Sequence, residues 1–210
     1  MSAVPTKKEQ VYVRIRRAII SGDLTPGAIL NESEIAAKFE SGKTPTREAL
    51  ILLTHENFLE ALPRVGYIVT KPTLQDILET FHLRLILEVE AIGLGVGRIS
   101  PEEIGHLEKN IQEEELLAAS FNPEQKDSAS AINRDFHLVI ARTSGNNRLM
   151  KYIQQLIDDM ERTLVNDPYL ADPNQHKKIL DALLSKDNKL AKEAMYSHIE
   201  ETRNRIVNRF

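Results

Sequence analysis

GKTPTREALILL, residues 42–53, reads as a helix whose hydrogen-bonding side chains crowd at one end. Lys43, Thr44, Thr46 and Arg47 surround Pro45, and almost every residue after them is apolar. Thr44 is the expected N-cap, with Pro45 as the first helical residue, where a missing N–H costs nothing. Capping accounts for one threonine. The rest of that polar cluster is expected to meet something outside the protein.

Working outward from this helix, residues 9–21 place Val11, Ile15, Ala18 and Ile19 on one stripe with Arg14, Arg16 and Arg17 largely off it, an amphipathic helix closed by Gly22. Pro26-Gly27 marks a turn. Asn31 then opens a second helix, with Glu34 three residues on, in a capping-box arrangement. Downstream, FLEAL and YIVT are strand-like runs separated by Pro63-Arg64-Val65-Gly66, which predicts a β-hairpin. Three short helices followed by a hairpin make a winged helix-turn-helix over residues 1–72.

In that arrangement the helix after the turn enters the major groove of DNA amino end first. Arg47 suits guanine O6 and N7, Lys43 a phosphate or a guanine, and Thr44 and Thr46 a phosphate or a base edge. The free N–H groups of the first turn favour phosphate as well. Arg64 and Gly66 fit a wing that approaches the backbone or minor groove, with glycine removing the side chain where contact is close.

From Thr73 onward the pattern is helical throughout. Helices are predicted near 73–98, 102–120, 123–143, 147–166, 174–186 and 188–208, with breaks at Ser100-Pro101, Phe121-Asn122-Pro123, Ser144-Gly145-Asn146, Asp167-Pro168 and Lys186-Asp187-Asn188. The fold class is therefore mainly α: a winged helix, then an all-α bundle of about six helices over 73–210.

Charge follows the same division. Residues 1–72 carry ten Lys/Arg against eight Asp/Glu, the remainder seventeen against twenty-three, so the front segment is the one suited to a polyanion. No apolar run approaches the roughly 18 residues of a membrane span, and the lysines at the N-terminus precede no apolar segment, so a membrane protein or a secreted one is not expected. Cysteine is absent, which excludes disulfides and thiolate metal sites and fits a cytoplasmic protein.

Histidine offers another donor set. Asn133 and His137 are four apart and share a helix face, while His176 and His198 lie on the last two helices, antiparallel neighbours across a short turn. Three imidazoles and an amide oxygen can converge inside a bundle, where facing helices build metal sites. Such donors suit zinc, nickel, iron or manganese rather than calcium. Asp135, roughly 200° around the helix from His137, should point away. His82 and His106 read as ordinary core or boundary histidines.

The run from Ala18 to Val69 resembles the DNA-binding domain of the GntR family of bacterial transcription regulators, through SGDLTPG, LNESEIAAKF and TPTREAL in family order. The resemblance puts Lys43, Thr44 and Arg47 on DNA-contacting positions and Gly66 on the wing. This chain departs from the family at Ser33 and Lys43, where arginine is frequent, and at Glu40-Ser41-Gly42, where Gly-Val-Ser is usual. Residues 73–208 resemble the FCD effector-binding domain of the FadR-type branch, through HLRLILE with Arg84 and Glu88, DFH followed by SGN, His176 before ILDAL, and His198.

That second resemblance implies a divalent metal on His137, His176 and His198, with Asn133 where the family carries aspartate. It also implies a small carboxylate effector completing the coordination. Arg84 is the candidate to pair that carboxylate; its alternative is an ion pair with Glu88 one turn on. The expectation is a homodimeric, ligand-responsive regulator on a palindromic double-stranded DNA operator, repression relieved by ligand being the usual family logic, and not an enzyme. The competing readings are a metalloenzyme, for which no general base stands at a motif spacing beside the histidines, and a dedicated metal sensor.

Overall fold

The computed structural model describes residues 5–120, 125–163 and 172–208. The chain divides into two compact units that meet between Pro72 and Thr73. The expected breaks at Phe121-Asn122-Pro123 and Asp167-Pro168 lie outside the described residues.

The first unit opens with α1, Lys7–Ile20, capped by a reciprocal box between Thr6 and Glu9. Its stripe of Val11, Ile15, Ala18 and Ile19 is buried as the periodicity requires, and Gly22 adopts φ +85° just past its end. β1, Ile29–Leu30, precedes α2, Glu32–Lys38, and the two-residue strand was not anticipated. Asn31 caps α2 by accepting from the Ser33 N–H at 2.9 Å, without the reciprocal bond from Glu34 that a box requires. α3 spans Lys43–His55.

β2, Leu59–Leu62, and β3, Gly66–Val69, form the expected hairpin, and β1 pairs antiparallel on the far side of β3 to give a sheet of order β1-β3-β2. Val11, Ile15, Leu50, Leu53, Phe58 and Val69 meet in the core that holds the three helices against the sheet.

The second unit is helical: α4, Leu74–Gly95; α5, Pro101–Ala119; α6, Lys126–Thr143; α7, Asn147–Thr163; α8, Pro173–Leu184; and α9, Asn188–Val207. Thr73 with Asp76 and Ser100 with Glu103 close capping boxes at the starts of α4 and α5. The 22-residue α4 runs along the unit and packs against α6, α7 and α9. Phe81, Ile92, Leu107, Phe136, Ile179, Met195 and Ile199 form the core cluster on these helices. None of the described helices is long and apolar enough to cross a membrane.

Candidate functional site

In the first unit the question is what α3 leaves exposed. The helix begins at Lys43 with Gly42 as N-cap, two residues earlier than the Thr44 cap expected from sequence. Glycine supplies no capping side chain, so the first helical bond is backbone only, from Thr46 N to Gly42 O at 3.1 Å. Thr44 and Pro45 thus sit inside the first turn. Proline removes one of the N–H groups that lack a helical partner there, leaving those of Lys43 and Thr44.

The side chains of Lys43, Thr44 and Arg47 are exposed. Thr46 is not: it is fully buried, on the same stripe as Ala49, Leu50 and Leu53. Its assignment to DNA is therefore corrected, because a side chain facing the domain core cannot reach a base edge.

Arg47 is held by Glu32 of α2: its Nε lies 3.0 Å from each carboxylate oxygen, and its Nη2 2.8 Å from Oε2. At the hairpin tip Arg64 is exposed with φ +66°. Gly66 adopts φ +142°, and a Cβ there would stand 2.3 Å from the Leu30 carbonyl oxygen. The glycine is thus demanded by the close passage of β1, a reason inside the domain in addition to the wing contact expected for it.

In the second unit the three histidines meet. His137 on α6, His176 on α8 and His198 on α9 are all buried, and one ring nitrogen from each lies within 4.8 Å of the others. His137 Nε2 and His198 Nε2 are 3.2 Å apart. Phe136 lies flat on the His176 ring, centroids 3.9 Å apart at 6°, and fixes its plane. Asn133, one turn before His137, is buried as well.

The outer nitrogens have partners on three other positions of the bundle. His176 Nδ1 lies 2.8 Å from Glu114 Oε2 on α5, and His198 Nδ1 lies 2.8 Å from Gln175 Oε1 on α8. His137 Nδ1 approaches Glu88 Oε2 on α4 to 2.6 Å, although this contact is not lined up as a hydrogen bond. His176 Nε2 is buried with no hydrogen-bond partner among the described residues. Rings held from their outer nitrogens present their inner nitrogens to one another, an arrangement three positive imidazolium rings would not tolerate.

The surroundings of His137 and His198 favour the neutral ring. Burial pushes the His137 imidazole below its usual value, against the pull of Glu88. Burial, then the neighbouring His176 and His137, hold His198 well below it. Burial alone would raise the Glu88 carboxyl, but Arg84 and His137 hold it down at about 2, so it stays charged.

Arg84 is buried on α4, with Nε 2.5 Å from Glu88 Oε1. Of the two roles the sequence allowed, the pair with Glu88 is formed. Nη1 contacts the Met160 sulfur, and Nη2 has no hydrogen-bond partner among the described residues. One end of the guanidinium is thereby anchored and the other left unspent. Gln175 and His198 also line a groove of about 560 Å³ between α8 and α9, with Lys178, Leu190, Ala194 and Glu201.

Asp135 turns away from the cluster, as its helical angle requires, and pairs with the exposed His106 and the buried Asn110 of α5. Sequence reasoning missed Glu88, Glu114 and Gln175 as partners of the rings. Glu88 was weighed only as a partner for Arg84. Glu114 stands in a run of three glutamates that gave no reason to single it out.

Comparison with known proteins adds an independent line. Residues 7–69 match the family described as bacterial regulatory proteins, gntR family, and residues 79–201 match the FCD domain. An uncharacterized HTH-type transcriptional regulator, YdhC of Bacillus subtilis (strain 168), is 28% identical over 90% of this chain and 86% of its own. The HTH-type transcriptional repressor RspR of Escherichia coli (strain K12) is 23% identical over 92% of this chain and 86% of its own. Among solved structures, E. coli McbR/YncC aligns with a TM-score of 0.80 at 22% identity, covering 98% of this chain and 99% of that one, a likeness of fold.

Proposed function

The chain belongs to the GntR family of bacterial transcription regulators, with an FCD domain behind its winged helix, and from that premise we propose that a small organic acid at a buried divalent metal site sets how tightly it holds DNA. Such regulators bind DNA and are not enzymes, which sets the metalloenzyme reading aside.

The observation that carries this reading is the convergence of three buried imidazoles from three helices. Ring nitrogens gathered within 4.8 Å of one another in a buried site make a donor set that a cation would satisfy. Nitrogen donors favour zinc, nickel, iron or manganese over calcium. His137, His176 and His198 would hold the ion, with the buried Asn133 amide oxygen as a fourth donor, and the ion would supply a Lewis-acidic point for a carboxylate. Arg84 Nη2 is the donor positioned to receive the acid's second charge.

Two copies of the chain, working in the cytoplasm, present two winged helices to a palindromic operator, since a two-fold dimer reads a two-fold site. Lys43, Thr44 and Arg47 do the reading, with Arg64 at the wing tip. The acid alters operator affinity only if it binds one state of the dimer better than the other.

The test is His137→Ala with His198→Ala. The double variant should lose its metal by elemental analysis and its response to citrate in operator titrations, while still binding duplex selected from a random pool. Unchanged metal stoichiometry refutes the site. An operator affinity that follows metal concentration alone, with no organic acid effective, converts the reading to a dedicated metal sensor.

A further inference from the structure

The proposed donor set carries no formal charge, and the anions stand one layer behind it. Glu88 reaches His137 from α4 and Glu114 reaches His176 from α5, both carboxylates buried. Gln175, behind His198, is neutral. A divalent ion placed among three neutral rings inside a helical core needs balancing charge nearby, because an uncompensated buried charge is strongly unfavourable. An acceptor at Nδ1 also keeps the ring proton there and leaves Nε2 free to ligate.

The two glutamates are not equivalent. Glu114 gives both oxygens to His176 Nδ1, at 2.8 and 3.0 Å. Glu88 divides its oxygens, Oε1 to Arg84 Nε at 2.5 Å and Oε2 towards His137 Nδ1 at 2.6 Å. The His137 contact is short yet not lined up as a hydrogen bond. One carboxylate therefore touches both His137 and Arg84.

We propose that Glu88 and Glu114 are positioning residues that set the ring tautomers of His137 and His176 and balance the charge of the ion, and that Glu88 alone also links the metal-facing ring to the anion-facing Arg84. This rests on the metal reading above. It assigns the regulation of that site to a residue outside the coordination set: metal and acid sense each other through Glu88.

The experiment uses cobalt(II) on the full chain, with affinity from competition titration and ligand geometry from the visible d–d spectrum. Glu88→Gln and Glu114→Gln each keep the shape and an acceptor oxygen but remove the charge. Each should weaken cobalt binding by roughly ten- to a hundredfold and change the spectrum. Glu88→Asp, which keeps the charge, should recover part of the loss. A merely structural role lowers the melting temperature without moving the spectrum.

Citrate should shift cobalt affinity in the wild-type chain and in Glu114→Gln, and fail to do so in Glu88→Gln. If Glu88→Gln does not fold because Arg84 is left uncompensated, Arg84→Met with Glu88→Gln removes both charges, and its cobalt affinity is read against Arg84→Met alone. Cobalt affinity within twofold of wild type and an unchanged spectrum in both glutamine variants overturns the proposal while leaving the metal reading intact. Failure of the wild-type chain to bind cobalt, zinc or nickel overturns both.

Discussion

Arg47 on α3 closes its guanidinium on the carboxylate of Glu32 on α2, with both oxygens within 3.0 Å of its nitrogens. The arginine that faces outward from α3 is thus posed by the helix before it. An exposed ion pair of this kind is weak and yields readily to a better partner. A guanine edge offers the same forked acceptor geometry as a carboxylate.

Arg47→Ala should lower affinity for the selected operator by about ten- to a hundredfold, with a much smaller effect on unrelated duplex. Arg47→Lys should fall short of rescue, because an ammonium group lacks the fork. Fluorescence anisotropy at fixed salt reads both. Wild-type affinity and selectivity in Arg47→Ala would remove α3 from the recognition role.

Gly66→Ala should destabilise the winged helix by about 1–3 kcal/mol from backbone conformation alone, and further through the clash with Leu30. The first calorimetric unfolding transition should move down and operator binding should fall with it. An unchanged transition would mean that β1 can move aside without loss.

Asn133→Asp adds a charged donor one turn before His137. Metal should then survive dialysis against chelator for longer than in the wild-type chain, because a carboxylate is the stronger ligand. Equal retention means Asn133 is no ligand.

In the metal-free chain, His137 and His198 titrate below the usual histidine value because they are buried. Between that lowered value and the unfolded value of about 6.5, the unfolded chain binds more protons, so stability is full above about pH 6.5 and declines as pH falls through it. The helical unit should melt lower at pH 5.5 than at pH 7.5. His198→Gln should flatten that dependence; the same slope in both chains would show that the imidazole does not titrate on unfolding.

Most of the architecture was legible in the sequence because it is written in local signals. Caps such as Thr73 and Ser100, breakers such as Pro101 and Gly145, and the 3.6-residue stripe of α1 each act within a few residues of themselves. What escaped was set by contacts distant in the chain. The strand at Ile29–Leu30 is too short to carry a period and exists because β3 offers it an edge. The start of α3 at Lys43 follows a glycine cap that leaves no side-chain signature. Thr46 lies at the same helical phase as Ala49, Leu50 and Leu53, so its burial was readable, but its hydroxyl drew attention away from its angle.

The histidine cluster was legible as residue types on the helices that became α6, α8 and α9, since rings at core positions of a bundle point inward. The groups behind the rings were not. Glu114 is one of three consecutive glutamates, and only the packing of α5 on α8 selects it over Glu113 and Glu115. Which carboxylate stands behind which ring is a tertiary fact.

α3 divides its circumference cleanly: Thr46, Ala49, Leu50 and Leu53 turn inward, while Lys43, Thr44 and Arg47 stay outside. Substitutions on the inner side strike the domain core, whereas substitutions at the three outer positions leave it intact. Because no residue of the outer set is shared with the core, those three positions are free to drift across generations without first passing through an unstable intermediate.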